Sequence, residues 1–325
     1  MIQIALSTDV QSWNGFLEKE KENQIITIAH NPSLGPILSK TFGYSNQNLS
    51  LTEHNEIIGV MPVVFFSNRA ISMPHFSYGG PIISTQKESE VNIKSFLGSK
   101  KFEIRSFSKL SEHSYDQKVS CILEVRESEE AQIMSFTSKL RYKLRKSEKI
   151  DYKISHGGVA LLKDYYDLYS RKMLKFGSPP IGKVFFQNLL EEYAYGEPQI
   201  TVIYNKDKAV AAAFSLSYLN FNEVCWSATD SDYDRDNIHA RIFWEILKTS
   251  VAKKYKYFSF GRSTVDSNTY KFKKQWSPSE LPIFYNYSEP TVKSIKEHKY
   301  LTKIWKHQPL VTSVYLGQLI SKYLY

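Results

Sequence analysis

Residues 49–66, LSLTEHNEIIGVMPVVFF, set a short polar turn between two aliphatic runs. Such a pattern predicts a β-hairpin whose second strand is long and continuous enough to be buried. About 150 residues later the pattern recurs: ITVIYNKDKAVAAAFSLSYLNFNEVCWSAT, 200–229, has a polar turn at 205–208 and then two further apolar strands. One hairpin returning at domain-length spacing points to a duplicated α/β unit and away from a short-period solenoid. The 325 residues, 42% hydrophobic and 14% aromatic, are long for one compact domain and sufficient for two cores. Boundaries are expected at 1–127 and 128–290, with a tail at 291–325.

Between the two hairpins, EAQIMSFTSKLRYKLRKSEK places Ile133, Phe136, Leu140 and Leu144 on one helical face. A basic helix over about 139–153 would then open the second unit. Helical patterns follow at 160–176 and 183–194, separated by GSPPIG, whose glycine and paired prolines must interrupt a helix. A further helix from about Asn237 to Lys253 leads into the strand YKYFSF. The tail is basic and amphipathic, with Leu310, Val314 and Leu319 among its apolar positions, and could dock on the body or lie on a membrane surface.

A formal charge of +9 favours anionic partners. The two cysteines, Cys121 and Cys225, lie in apolar strand-like runs, which argues against a disulfide framework or structural zinc and for a reducing compartment. The eight histidines are scattered without ligand spacing, so no metal is expected. Gly-x-Ser-x-Gly, P-loop and dinucleotide fingerprints are all missing. Neither a signal peptide nor an apolar run of roughly 18 residues occurs, so a cytoplasmic protein is expected, with peripheral contact at the inner membrane face left open.

Two stretches can carry chemistry. Arg141, Arg145 and Lys149 follow one another at i, i+4 and i+8, a basic stripe suited to phosphate or RNA backbone, although a solvated helix face is the plainer reading. In YFSFGRSTVDSNTYKFKKQW, 257–276, a strand ends at Gly261, where backbone amides can approach a ligand, and Arg262 offers a planar fork for a carboxylate or phosphate. A helix starting near Thr269 puts Lys271 and Lys274 on one face, Phe272 and Trp276 on another, and Lys273 between them. An exposed basic helix after a loop is the structural alternative.

Five segments in order resemble the FemAB-like branch of the GNAT acyltransferase superfamily: SMPHFSYGGPI, LRYKLRKSEKIDYKI, YYDLYSRKMLKFGSPPIGKVFFQNLL, CWSATDSDYDRDNIHARIFWEIL and FSFGRSTVDSNTYKFKKQW. The resemblance covers most of the chain. It implies an α/β fold of two tandem GNAT-like domains, each a mixed, mostly antiparallel sheet flanked by helices, plus a C-terminal helical tail. It also implies acyl or aminoacyl transfer to an amine, as in the peptidoglycan-bridge enzymes that draw amino acids from aminoacyl-tRNA. On this basis Gly261, Arg262 and Ser263 form the phosphate- and substrate-handling turn. Tyr270, Phe272 and Lys273 match the family's Tyr-x-Phe-Lys segment, with Lys273, and after it Lys271, stabilising developing charge. Tyr270 and Ser263 would orient the acceptor. Tyr78, Gly79 and Gly80 would line the cleft from the first domain, or form a purely structural turn. For the general base Asp266, Glu245 and Tyr270 stand unranked.

The donor is the point of departure. A GNAT enzyme ordinarily holds the coenzyme A diphosphate on a glycine-rich loop at a helix N-terminus. The equivalent stretch here, DSDYDRDNIHAR, has Asp230, Asp232, Asp234 and Asp236 and no glycine. Aminoacyl-tRNA becomes the more attractive donor, with acyl-CoA second and no tightly bound cofactor. The expected acceptor is an anionic small-molecule or glycan precursor of the cell envelope or an exopolysaccharide. A different class also fits: a non-catalytic GNAT-like module that binds an anionic glycan or lipid-linked intermediate at the membrane through residues 300–325.

Overall fold

The computed structural model describes residues 2–7, 9–290 and 302–324. Two chain segments build the same succession. In the first, strand β1 (Gln3–Leu6) precedes helices α1 (Val10–Glu20) and α2 (Leu34–Phe42). The antiparallel strands β2 (Ser45–Glu53), β3 (Glu56–Phe66) and β4 (Arg69–Ile71) follow, with β5 (Ile82–Ile83) added to β3. Helix α3 (Ile93–Leu97) then leads to β6 (Lys101–Ser106), parallel to β4.

The second segment repeats this. Strand β8 (Lys153–Gly157) precedes α6 (Leu162–Phe176) and α7 (Lys183–Glu192), and the strands β9 (Gly196–Asn205), β10 (Lys208–Tyr218) and β11 (Phe221–Thr229) are again antiparallel. Helix α8 (Ile238–Ala252) leads to β12 (Tyr257–Thr264), which lies parallel to β11. The two hairpins expected from the sequence are β2–β3 and β9–β10. Both have positive-φ residues in the turn, His54 and Asn55 in one and Lys206 in the other, and both have a register shift just beyond it.

The units are joined through exchanged strands. β7 (His113–Glu124), which follows the first unit, pairs with β12 of the second, and β13 (Ser279–Tyr287), which follows the second, pairs with β6 of the first. β7 and β13 also pair with each other. A single 13-stranded sheet results among the described residues, twelve strands in the order β1-β2-β3-β4-β6-β13-β7-β12-β11-β10-β9-β8 and β5 paired with β3 off this path. One apolar core runs continuously along one face, from Trp13 and Leu38 under the first unit to Tyr165, Phe186 and Phe214 under the second. Separate cores on the other face hold α3 against the first unit and α8 with α9 (Asn268–Lys274) against the second.

Two local expectations change. The single helical face expected across EAQIMSFTSKLRYKLRKSEK is two pieces, α4 (Glu129–Met134) and α5 (Ser138–Glu148), the second being the basic helix expected over about 139–153, because the Ser128 and Thr137 side chains each accept a backbone N–H and start a new helix. By Lys153 the chain has already entered β8. In the tail, a helix spans Leu310–Ile320, but its buried positions are Ser313 and Gly317, and Leu319 faces outward. Residues 291–301 of the tail lie outside the described residues.

Candidate active site

Strands β11 and β12 pair only from Phe221–Glu223 to Tyr257–Ser259. Beyond this short ladder both strands are irregular. β11 shifts register against β10 so that Cys225 is the extra residue, and β12 shifts against β7 between Ser259 and Arg262. Gly261 takes φ +69, the left-handed region glycine enters without strain. The bulge turns two successive carbonyls toward one point. Lys273 Nζ, from α9, donates to Gly261 O and to Arg262 O, both at 3.0 Å.

The first unit completes this point. Its segment after β4 brings Ser77 and Tyr78 onto the buried Glu223: Ser77 Oγ donates to Oε1 at 2.9 Å and the Tyr78 hydroxyl donates to Oε2 at 2.7 Å. Burial raises the Glu223 carboxyl pKa, with the two hydroxyls and the Lys273 charge working against the rise. Burial also brings the Lys273 ammonium down to about 8. Lys273 therefore sits nearer neutrality than any solvated lysine, the tuning expected of a reacting or charge-stabilising group.

Two guanidiniums converge beside it on Phe76 O, Arg105 Nη1 at 2.9 Å and Arg262 Nη1 at 3.3 Å. Arg262 also reaches the Tyr285 hydroxyl at 3.3 Å. Burial lowers Arg105 to about 10, and its Nε finds no acceptor among the described residues. Gly79 and Gly80 serve this construction through close packing. A Cβ on Gly80 would stand 2.4 Å from Ser106 Cβ and 3.2 Å from its Cα, and one on Gly79 would stand 3.0 Å from Met73 Cγ. The turn is thus pressed onto β6 and the start of its own segment, so that Tyr78 reaches across to Glu223.

Tyr78 and Gly80 also line a cavity of about 590 Å³ whose other walls include His30, Ser106, Phe107 and Leu281. A second cavity, of about 450 Å³, lies between α6 and the outer ends of β10 and β11, with Arg171, Lys172, Lys175 and Lys208 in its walls beside Asp164, Asp167 and Asp230. Lys172 donates to Ser227 O at 3.0 Å and is lowered to about 8 by burial. Between this lysine and Lys273 stands His239 of α8, stacked on Phe272 at 4.1 Å. Burial, and then the two cations, hold His239 down to about 3, so the imidazole is neutral.

The four aspartates before α8 fare differently from one another. Asp230 accepts from Lys208 Nζ at 2.7 Å and from the Asp232 N–H, and Asp236 accepts from the Tyr152 hydroxyl at 2.6 Å. Half of the acidic group is thereby committed within the chain, and Lys175 reaches Ser231 Oγ at 3.0 Å. An anion here would meet side-chain cations of α6. The turn, having no glycine, cannot wrap a diphosphate with its own amides.

Of the residues singled out in the sequence, Tyr78, Gly261, Arg262 and Lys273 come together. Ser263 is buried next to them, its Oγ without a partner among the described residues. Tyr270 is bound instead to Glu280 at 2.6 Å and to Lys274 at 3.2 Å, and Lys271 is exposed. Arg141 spends its guanidinium on Met134 O and Phe136 O, at the turn between α4 and α5, and Arg145 is exposed on α5. Glu245 is tied to Arg241 and Lys248, and Asp266 stands exposed in the turn after β12. Sequence reasoning passed over Glu223, Ser77, Arg105, Lys172 and His239. For Glu223 there was a signal: a carboxylate within FNEVCW, a strand otherwise fit for burial.

Residues 134–274 match the family model described as an acetyltransferase (GNAT) domain. No curated protein matches the chain. Among solved structures, FemX aligns with a TM-score of 0.64 at 11% identity, over 88% of this chain and 97% of that one. L-PGS from Bacillus licheniformis aligns at 0.54 and 12% identity, over 94% and 100% of the two chains. A tandem GNAT protein from the clavulanic acid biosynthesis pathway aligns at 0.54 and 5%, over 90% and 100%. At such identities these likenesses are ones of fold: residues 134–274 are similar to a GNAT domain, and the chain as a whole folds like the tandem GNAT protein and FemX.

Proposed function

We propose that the protein is an acyltransferase that moves an acyl or aminoacyl group from an ester or thioester donor to an amino group of a cell-envelope or exopolysaccharide precursor. The observation that carries this reading is Lys273: a buried ammonium fixed by two backbone carbonyls where the β11–β12 ladder ends. An ammonium has three N–H donors. Two are committed to Gly261 and Arg262, and the third is the one for an incoming carbonyl oxygen.

In the reaction the acceptor nitrogen attacks the donor carbonyl carbon, and the C=O electron pair moves onto oxygen, where Lys273 stabilises it. Collapse of that intermediate re-forms the carbonyl and expels the thiolate or the ribose oxygen, which takes up the proton that the amine gives up, so that product leaves as thiol or ribose hydroxyl and the site is restored. The amine proton passes to the Tyr78 oxygen as the Tyr78 proton passes to Glu223, whose pKa burial raises above the usual carboxylate value, making it a stronger base. The 590 Å³ cavity, which Tyr78 and Gly80 help line, is the acceptor's place in this reading. The α6 cations supply charge for donor phosphates, from aminoacyl-tRNA or acyl-CoA. A glycan precursor carrying phosphate agrees with the excess of positive charge.

The test offers acyl-CoA and charged tRNA in parallel to a panel of amino sugars and peptidyl precursors, with products read by mass spectrometry. Amide formation from one donor, lost in Lys273→Ala, is expected. Transfer that persists unchanged in Lys273→Ala would overturn the assignment, as would the absence of any transfer from both donors.

A further inference from the structure

The C-terminal helix, Leu310–Ile320, is held to the body by its small residues. A Cβ on Gly317 would lie 2.4 Å from Pro180 O, and one on Gly182 would lie 3.0 Å from Gln318 Cγ. Trp305 Nε1 donates to Ser313 Oγ at 2.8 Å, and the Tyr44 hydroxyl donates to Lys322 O at 2.6 Å. Tyr323 meets Phe66 edge-on at 5.5 Å. The helix is thus anchored to both units.

Its large apolar residues point the other way. Val311, Tyr315 and Leu319 are 81%, 64% and 52% exposed, and at i, i+4 and i+8 they form one stripe along the helix. Leu324, just past the helix, is 52% exposed as well. Phe176 and Val184, beside the glycines that the tail packs against, are 56% and 49% exposed. Isolated exposed apolar side chains are ordinary, but a fixed row of them marks an interaction surface.

Charge selects the partner. Residues 302–324 contain Lys303, Lys306 and Lys322 and no aspartate or glutamate. Lys183 adjoins Val184 in the chain. A second copy packed on this face about a two-fold axis would bring like charges together. RNA would satisfy the lysines and leave the stripe wet. A membrane with anionic headgroups satisfies both, because apolar side chains enter the acyl boundary while lysines and tyrosines stay at headgroup level.

We propose that this face docks the protein on anionic lipid bilayers, with the helix lying in the interface plane. No helix among the described residues is long and apolar enough to cross a membrane, and the contact proposed for this face is a peripheral one. The inference does not rest on the acyl-transfer reading, since lipid binding is measured without turnover.

The experiment is co-sedimentation of the full chain with vesicles of phosphatidylcholine alone or with about a third phosphatidylglycerol, the anionic lipid serving as probe. Binding only to the anionic vesicles, weakened by salt, is expected. The triple variant Val311→Ser, Tyr315→Ser, Leu319→Ser, altered only at exposed positions, should lose binding at least tenfold with its thermal melt unchanged. Lys303→Glu with Lys306→Glu should lose it similarly and flatten the salt dependence. Three results would overturn the proposal: wild type left in the supernatant, a triple variant that binds as well as wild type, or a wild-type dimer in light scattering that the triple variant abolishes.

Discussion

Replacing Lys273 with methionine separates what this ammonium does for the fold from what it does for the reaction. Burial brings its pKa from the usual 10.5 to about 8, which corresponds to roughly 3 kcal/mol against the charged form in the folded chain. Methionine removes that cost. It also removes the two hydrogen bonds to Gly261 O and Arg262 O, leaving buried acceptors unmet at about 1–3 kcal/mol each. The terms oppose, so at pH 7 the variant should lie within about 2 kcal/mol of wild type, as when a buried charge is exchanged for an apolar isostere. The pH dependence discriminates more sharply. Between the folded pKa near 8 and the unfolded pKa near 10.5, the unfolded chain binds more protons at this site, so wild-type stability gains from this lysine as pH rises through the window. Below the window the cost is present in full. Urea unfolding of both proteins at about pH 7, 8.5 and 10 should show the methionine variant losing stability relative to wild type by roughly 2–3 kcal/mol as pH rises. At pH 7, where the wild-type ammonium is mostly charged, kcat/KM of the variant should be at least about tenfold lower, some 1.4 kcal/mol in the barrier, and the gap should narrow as pH rises past the Lys273 pKa near 8. Parallel stability curves would refute the claim of a depressed, buried ammonium, and unchanged turnover would remove Lys273 from the reaction.

Further outcomes test the surrounding structure. Glu223→Gln keeps an acceptor for Ser77 or Tyr78 but cannot take a proton, so kcat should fall by more than about tenfold and the acidic limb of the pH–rate profile should vanish. A limb that persists would show that another group is the base. Gly80→Ala should cost roughly 2 kcal/mol or more in urea unfolding, because its Cβ meets Ser106 at 2.4 Å with backbone behind it. Gly261→Ala should cost only about 1 kcal/mol, since φ is +69 but the nearest atom stands 3.6 Å away. The reverse order of the two alanine variants would contradict the packing described for the Tyr78 turn.

What could be read from the chain alone divides along physical lines. The duplicated hairpins were legible because buried strands broken by polar turns leave a local pattern, and the helices α6, α7 and α8 because periodicity and boundary residues are local as well, Gly177 at the end of α6 and Gly182 and Asn237 at the starts of α7 and α8. The α4–α5 break was written in the sequence too, at Thr137, but the apolar periodicity across it masked the cap. Exchange of β7 and β13 between the units left no such trace, since each strand has the same composition whichever sheet edge receives it. The site suffers from the same limit. Gly261, Arg262 and Lys273 lie within one short segment and could be linked by resemblance. Ser77 and Tyr78 reach Glu223 across almost 150 positions, and only the shared sheet brings them within hydrogen-bond distance. That dependence has a consequence for the chemistry. If proton uptake by Glu223 runs through Tyr78, neither unit alone holds a working site: the second contributes the oxyanion cation and the carboxylate, and the first contributes the hydroxyl between carboxylate and acceptor. Tyr78→Phe, which keeps the ring against Phe107, should therefore reproduce the loss in Glu223→Gln, and the double variant should be no worse than either single one.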